Sequence, residues 1–431
     1  MVSYRQPGTV LTEHVFSVPL DHSRPDGEQI EVFAREVVAT GKAAGGAGDL
    51  PWLVFLQGGP GVGAPRPIGR DGWLDRALRD FRVLLLDQRG AGRSTPASRQ
   101  TLAALPGAQA QAEYLTHFRA DSIVADAELI RRRLTGGAPW SVLGQSFGGF
   151  CTVTYLSKAP EGVREAFITG GLPGVSATAD DVYRLTYRMV EAKVLAHYER
   201  YPQDVEQARR VARALADKPA TLPGGGTLTV ERFQELGHVL GSSTGSHNLH
   251  YLLEAPFAVG AELSDDFLAG AEQQLGYGQA PLYALVHEAC YAQGGATRWA
   301  AERIRAEFPQ FDPAAALAGD APLLFTGEMV YPRVLEQDPA LRPLAEAAEL
   351  LAQREGWPAL YDAGQLARTE APAAAAVYFN DMYVPRELSL QTADAIRGLR
   401  PWVTSEYEHD GLRVSNGAVL DRLIALARGT A

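Results

Sequence analysis

Gly144-Gln-Ser-Phe-Gly148 sets Ser146 between two glycines, with an apolar run before it and helix-forming residues after it. Glycines at these offsets leave room for a strand to turn sharply into a helix. The residue at such a turn is held in strained backbone geometry, its side chain clear of the sheet. A serine hydroxyl presented there can attack a carbonyl carbon. The backbone N–H of Phe147, at the start of the helix, can then hold the oxyanion that forms. Acyl transfer also needs a second oxyanion donor, a histidine base and an acid to orient it.

Those partners can be sought by chain order, which runs nucleophile, acid, histidine, each on a loop at the C-terminal end of a strand. Of nine histidines only His409 lies near the C-terminus, in the short loop Glu408-His-Asp-Gly411 after the run Trp402–Tyr407. It would accept the Ser146 proton and return it to the leaving group. Asp381 follows the run Ala373–Phe379 and fits the acid, whereas Asp362 precedes that run and Asp394 falls in an expected helix, Leu388–Gly398. The expected oxyanion loop is Gln57-Gly-Gly-Pro-Gly61, after the run Trp52–Leu56. Gly59 is the expected N–H donor and Gly58 the second choice, because Pro60 has no N–H to give.

The elements that must carry these residues are legible as patterns. Two antiparallel strands, His14–Leu20 and Ile30–Val38, flank Pro25-Asp-Gly27 and lead through a Gly/Ala-rich loop, Gly41–Gly48, to Trp52–Leu56. Phe81–Asp87, Trp140–Leu143 and Ala166–Gly170 are further apolar runs of strand length, and Ala120–Leu134 has helical periodicity ended by Gly136-Gly137. Strands alternating with helices predict an α/β fold, a mostly parallel sheet covered on both faces. From about Ala179 to Arg354 the text is mostly helical, with Tyr183–Tyr201 and Val205–Leu215 amphipathic and a small-residue loop at Gly241–Ser246. We expect residues 1–174 and 356–431 to form the catalytic core, and 175–355 to form a helical cap over its active face.

Composition excludes several classes. The 431 residues are 46% hydrophobic and 21% charged, a globular profile. A formal charge of -11 with no offsetting basic stretch argues against nucleic acid, and Arg209-Arg-Val-Ala-Arg213 reads as a solvated helix face. Two distant cysteines, Cys151 and Cys290, rule out a disulfide framework and suit a reducing compartment. Met1–Pro7 has no apolar segment, and no run approaches the roughly 18 apolar residues of a membrane span. The expectation is a soluble cytoplasmic protein with no membrane partner. His287 has no further ligands at metal spacing, so no metal or cofactor is implied.

Taken together, Gln57–Gly61, Asp87-Gln-Arg-Gly-Ala-Gly-Arg-Ser94, Gly144–Gly149, Asn380-Asp381 and Glu408–Gly411 resemble the prolyl aminopeptidase (proline iminopeptidase) family, longer subgroup. The resemblance implies an α/β-hydrolase fold with a large helical cap insertion, and a serine peptidase that removes N-terminal proline. Gln57 departs from it, since many members have histidine there. Asp87–Gly90 reads as architectural. An exopeptidase of this kind must dock a cationic amine, and the resemblance implies cap glutamates for that task. Glu288 in Val286–Tyr291 and Glu328 in Phe325–Tyr331 are the candidates, Glu288 lying in the segment that resembles the family's more closely. Phe147, Tyr291 and Tyr331 are candidate walls for a proline ring. An esterase or amidase, or an aminopeptidase of other specificity, is the alternative; a binding protein is disfavoured by the complete Ser146, Asp381 and His409 set.

Overall fold

Apolar runs too short for helices become the strands of one sheet. The computed structural model describes residues 2–43 and 50–430. Before the helical stretch lie β1 (Val2–Gln6), β2 (Thr9–Pro19), β3 (Gln29–Ala39), β4 (Trp52–Leu56), β5 (Arg82–Leu86), β6 (Trp140–Gln145) and β7 (Val163–Thr169). Within that stretch β8 (Ala220–Thr221) and β9 (Thr227–Leu228) make a separate small hairpin. β10 (Ala373–Tyr378) and β11 (Leu399–Thr404) then complete a sheet of order β1-β2-β3-β5-β4-β6-β7-β10-β11. The first three strands are antiparallel, as is the β3–β5 pairing; every pairing from β5 to β11 is parallel. This is the mixed, mostly parallel sheet that the alternation of runs predicts.

Period-two alternation divides the core. Val54, Leu56, Val142, Ala373, Ala375 and Val377 point to one face, where they share an apolar cluster with the helices between β7 and β10. Leu53, Phe55, Leu143, Ala374, Ala376 and Tyr378 point to the other, beneath the closing helix Ala418–Arg428. β10 is thus built largely of alanine, with Ala373–Ala376 at most 1% exposed. Small side chains let its flanking helices lie close.

The helical stretch runs from Ala179–Arg200 to Ala345–Ala352 and adds nothing to the main sheet. Its first helix opens with a capping box, Thr178 and Asp181 each accepting the other's backbone N–H, which contributes about 1 kcal/mol. Among the described residues no helix is long and apolar enough to cross a membrane.

Three local expectations shift. The last strand begins at Leu399 rather than Trp402; it is an edge strand with one partner, so Pro401 is tolerated inside it. Arg209 is not on a solvated face: it is 8% exposed and donates to the carbonyls of Ala316 and Gly319. Thr40–Ala43 is a helical turn, and the rest of the expected Gly41–Gly48 loop lies outside the described residues.

Candidate active site

β6 ends at Gln145 and the helix Phe147–Lys158 begins after a single intervening residue, so the whole reversal falls on Ser146. Its backbone sits at φ 56, ψ -126, a region that costs a non-glycine residue about 1–3 kcal/mol. The glycines show why the turn can close. A Cβ on Gly148 would lie 1.9 Å from the Leu56 carbonyl oxygen, and one on Gly144 would lie 2.3 Å from Gly148 O. From Trp140 to Ser157 every residue is buried except Ser146. The turn therefore presents one hydroxyl and little else.

The loop Gln57–Gly61 abuts that hydroxyl: a Cβ on Gly58 would come within 2.9 Å of the Ser146 Cβ. Gly59 takes φ 143 before a cis bond to Pro60, and Gly61 at φ 76 leans on Leu282 and the Tyr283 backbone. Gln88 Nε2 donates to Gln57 O at 2.9 Å, bracing the loop from the neighbouring turn. That turn carries structural pairs. Asp87 accepts from Ala64 N, Arg93 N and Arg66, and Arg89 is fully buried against Asp126 at 2.6 Å. Breaking such a buried pair costs about 3–5 kcal/mol, which supports an architectural reading of Asp87–Gly90.

Asp381 and His409 meet across the ends of β10 and β11. His409 Nδ1 lies 2.7 Å from Asp381 Oδ2, and the other carboxylate oxygen accepts N–H groups of Tyr383 and Val384. By contrast Asp362 caps the short helix Ala363–Leu366 and Asp394 sits inside Arg386–Ala395. Consecutive glycines after β7 link His409 to Ser146. A Cβ on Gly170 would touch His409 Nδ1 at 3.0 Å, and one on Gly171 would touch Ser146 O at 2.5 Å. Burial pushes the His409 imidazole toward neutrality, but the charge and hydrogen bond of Asp381, helped by Glu328, raise its pKa overall.

The helical layer holds a cavity of about 680 Å³, with Glu328, Tyr283, His238, Tyr277 and Glu235 in its wall; Ser146, Asp381 and His409 do not line it, and Tyr383, packed on His409 and bonded to His238 O, links it to them. Glu328 is partly exposed and accepts from the Tyr283 hydroxyl. Glu288 is placed differently. It is 7% exposed, and its two oxygens accept the N–H groups of Ala300 and Ala301 at 3.0 and 2.9 Å. Burial raises its pKa while those N–H groups oppose the rise. Tyr331 is fully buried, paired with the Tyr187 hydroxyl at 2.9 Å and covered by Arg333. Tyr291 stands edge-on to Phe150, which in turn meets Phe147. The geometry thus pairs Asp381 with His409, and sets against Ser146 both the loop Gln57–Gly61 and the Gly170-Gly171 pair whose first member touches His409. Of the two candidate glutamates it sets Glu328 toward the cavity, and it packs Tyr331 into the helical layer.

Sequence reasoning missed Tyr283, His238 and Tyr383. Tyr383 sets its ring perpendicular to His409 at 4.8 Å between centroids. No local pattern marks these residues, because each acts through a contact distant in sequence.

Residues 51–232 match the alpha/beta hydrolase fold family. Over 426 residues the chain is 49% identical to a proline iminopeptidase of Aeromonas sobria, covering 99% of this chain and 98% of that one. It is 36% identical over 443 residues to the proline iminopeptidase aneH of Aspergillus aculeatus, covering 98% and 95%.

Proposed function

Because the chain belongs to the proline iminopeptidase family, with a serine-hydrolase fold, we propose that it releases proline from the free N-terminus of peptides. The observation that carries this reading is Glu328, a carboxylate in the cavity wall whose charge reaches His409. A cationic secondary amine would pair with that carboxylate while its carbonyl faces the Ser146 hydroxyl.

On this reading Ser146 Oγ adds to the prolyl carbonyl carbon while His409 Nε2 takes its proton. Asp381 holds Nδ1 and stabilises the imidazolium without taking the proton itself. The oxyanion rests on the N–H of Phe147 and of Gly59, with Gly58 as second choice. His409 then protonates the peptide nitrogen, the C–N bond breaks and the shortened peptide leaves. Water repeats the sequence on the prolyl ester, releasing proline and restoring the Ser146 hydroxyl. Residues 175–355 act as the cap that excludes longer N-terminal extensions. Glu328 binds the amine; Glu288 supports the wall from behind. Tyr291 and Phe147 border the ring, and Tyr331 stiffens the layer above. Both cysteines are free and buried, which supports a reducing location such as the cytoplasm.

Hydrolysis of proline naphthylamide against its N-acetyl form tests the amine requirement. We expect loss of turnover on acetylation; equal rates would return the protein to the esterase or amidase alternative. Ser146→Ala should lower turnover by about 10⁵- to 10⁶-fold in a folded protein.

A further inference from the structure

The loop that carries the base is fastened to the helical layer at three consecutive residues. Glu408 accepts from Lys193 Nζ, in the helix Ala179–Arg200. His409 N donates to Gly241 O at 3.1 Å. Asp410 accepts from Ser243 twice, from the backbone N at 3.2 Å and from Oγ at 2.8 Å. On the sheet side the His409 ring is held by its hydrogen bond to Asp381, its edge contact with Tyr383 and the close approach of Gly170. Tyr383 is itself tied upward, its hydroxyl donating to His238 O. Its ring fills the space above Gly241, where any Cβ would lie 2.1 Å from a ring carbon. The stretch His238–Ser243 therefore has one end in the cavity wall and the other on the base loop.

We propose that the segment Gly241–Ser243, with Lys193 and Tyr383, is the positioning element of His409, so that seating the helical layer and aligning the base are one event. The inference rests on His409 being the base of the proposed reaction. Bonds to charged side chains are the stronger kind of hydrogen bond. Together they fix the backbone of His409, while Asp381 fixes its ring. Asp381 can orient the imidazole but cannot stop the loop from drifting toward solvent. A shift of about 1 Å at a proton-transferring group is enough to cost roughly a hundredfold in rate. The small residues of this segment have a stated use: glycine at 241 makes room for Tyr383, and serine at 243 supplies both donors to Asp410.

The test uses the full chain and two readouts. One is kcat and KM with proline naphthylamide. The other is the rate at which a fluorophosphonate labels Ser146, which needs the serine and its base but no proline recognition. Ser243→Ala should lower kcat and labelling rate together by about tenfold, with KM little changed. Ser243→Thr, which keeps the hydroxyl, should recover most of the loss. Gly241→Ala should lower both by about a hundredfold, because Tyr383 must move. Thermal unfolding measured alongside corrects each rate for the folded fraction. Wild-type kcat and labelling in folded Ser243→Ala and Gly241→Ala would overturn the proposal, as would losses explained wholly by unfolding. If Gly241→Ala does not fold, Ser243→Ala and Lys193→Met decide by the same criteria. A wild-type protein that labels at Ser146 yet releases no proline would sink the proposed substrate alone, and labelling would still read the positioning.

Discussion

Ser146 and His409 are held by opposite means. The serine is set by its own neighbours: a strand before it, a helix after it, and glycines at 144, 148 and 149 that let the two meet. The histidine is set from far away, by Asp381 at the end of another strand and by Gly241, Ser243 and Lys193 in the helical layer. A site built this way has one rigid half and one conditional half. Damage to the first should appear as lost stability, and damage to the second as lost rate in a protein that still folds.

The largest expected break in that contrast is at the acid. Asp381→Asn leaves the fold in place but should cost about 10⁴-fold in kcat, since the amide no longer holds the imidazole in its working tautomer. On the rigid half, Gly148→Ala places a methyl carbon against the Leu56 carbonyl and should destabilise by about 1–3 kcal/mol, visible as a lower midpoint in urea. Unchanged stability there would show that the turn has more room than the contacts allow.

Smaller effects separate the two cap carboxylates. Glu328→Gln should raise KM for a free N-terminal proline by about tenfold while leaving the melting temperature nearly unchanged. Glu288→Ala strips two buried N–H groups of their acceptor and should instead destabilise by about 1–3 kcal/mol. The reverse pattern in a paired kinetic and thermal assay would move the amine site to Glu288.

The mildest test is pH. The pKa of His409 is raised, so activity on the acid side should climb with a pKa above the usual histidine value of about 6.5, because only the neutral base can accept a proton. Asp381→Asn should move that limb downward. The sign for stability is the opposite of that for activity. A raised folded pKa means the pair's contribution is complete below about 6.5 and fades as pH rises through the folded value.

The rigid half was open to reading because strand, turn and helix are contiguous in the chain. Asp381 and His409 could be found by order along the chain, which needs only that each follow a strand. The helical stretch was open only as a class: periodicity announced its helices, but which carboxylate faces inward depends on which backbone N–H groups lie nearby. Ala300 and Ala301 take Glu288, and nothing in Val286–Tyr291 tells of them. Arg209 shows the same limit, since its burial depends on the helix Pro313–Ala318 more than a hundred residues on. The glycines around Ser146 and those of Gln57–Gly61 are legible for the freedom they give, while Gly241 reads as plain loop because its partner, Tyr383, lies far along the sequence.

The alanine strand β10 has a consequence of a different kind. A side chain of leucine size can absorb a nearby change by rotating, but a methyl group has no such freedom, so pressure on Ala373–Ala376 passes straight into the main chain. The strand ends at Tyr378, three residues before Asp381, whose carboxylate holds His409. Enlarging Ala375 should therefore be felt at Asp381, six residues on along the same chain.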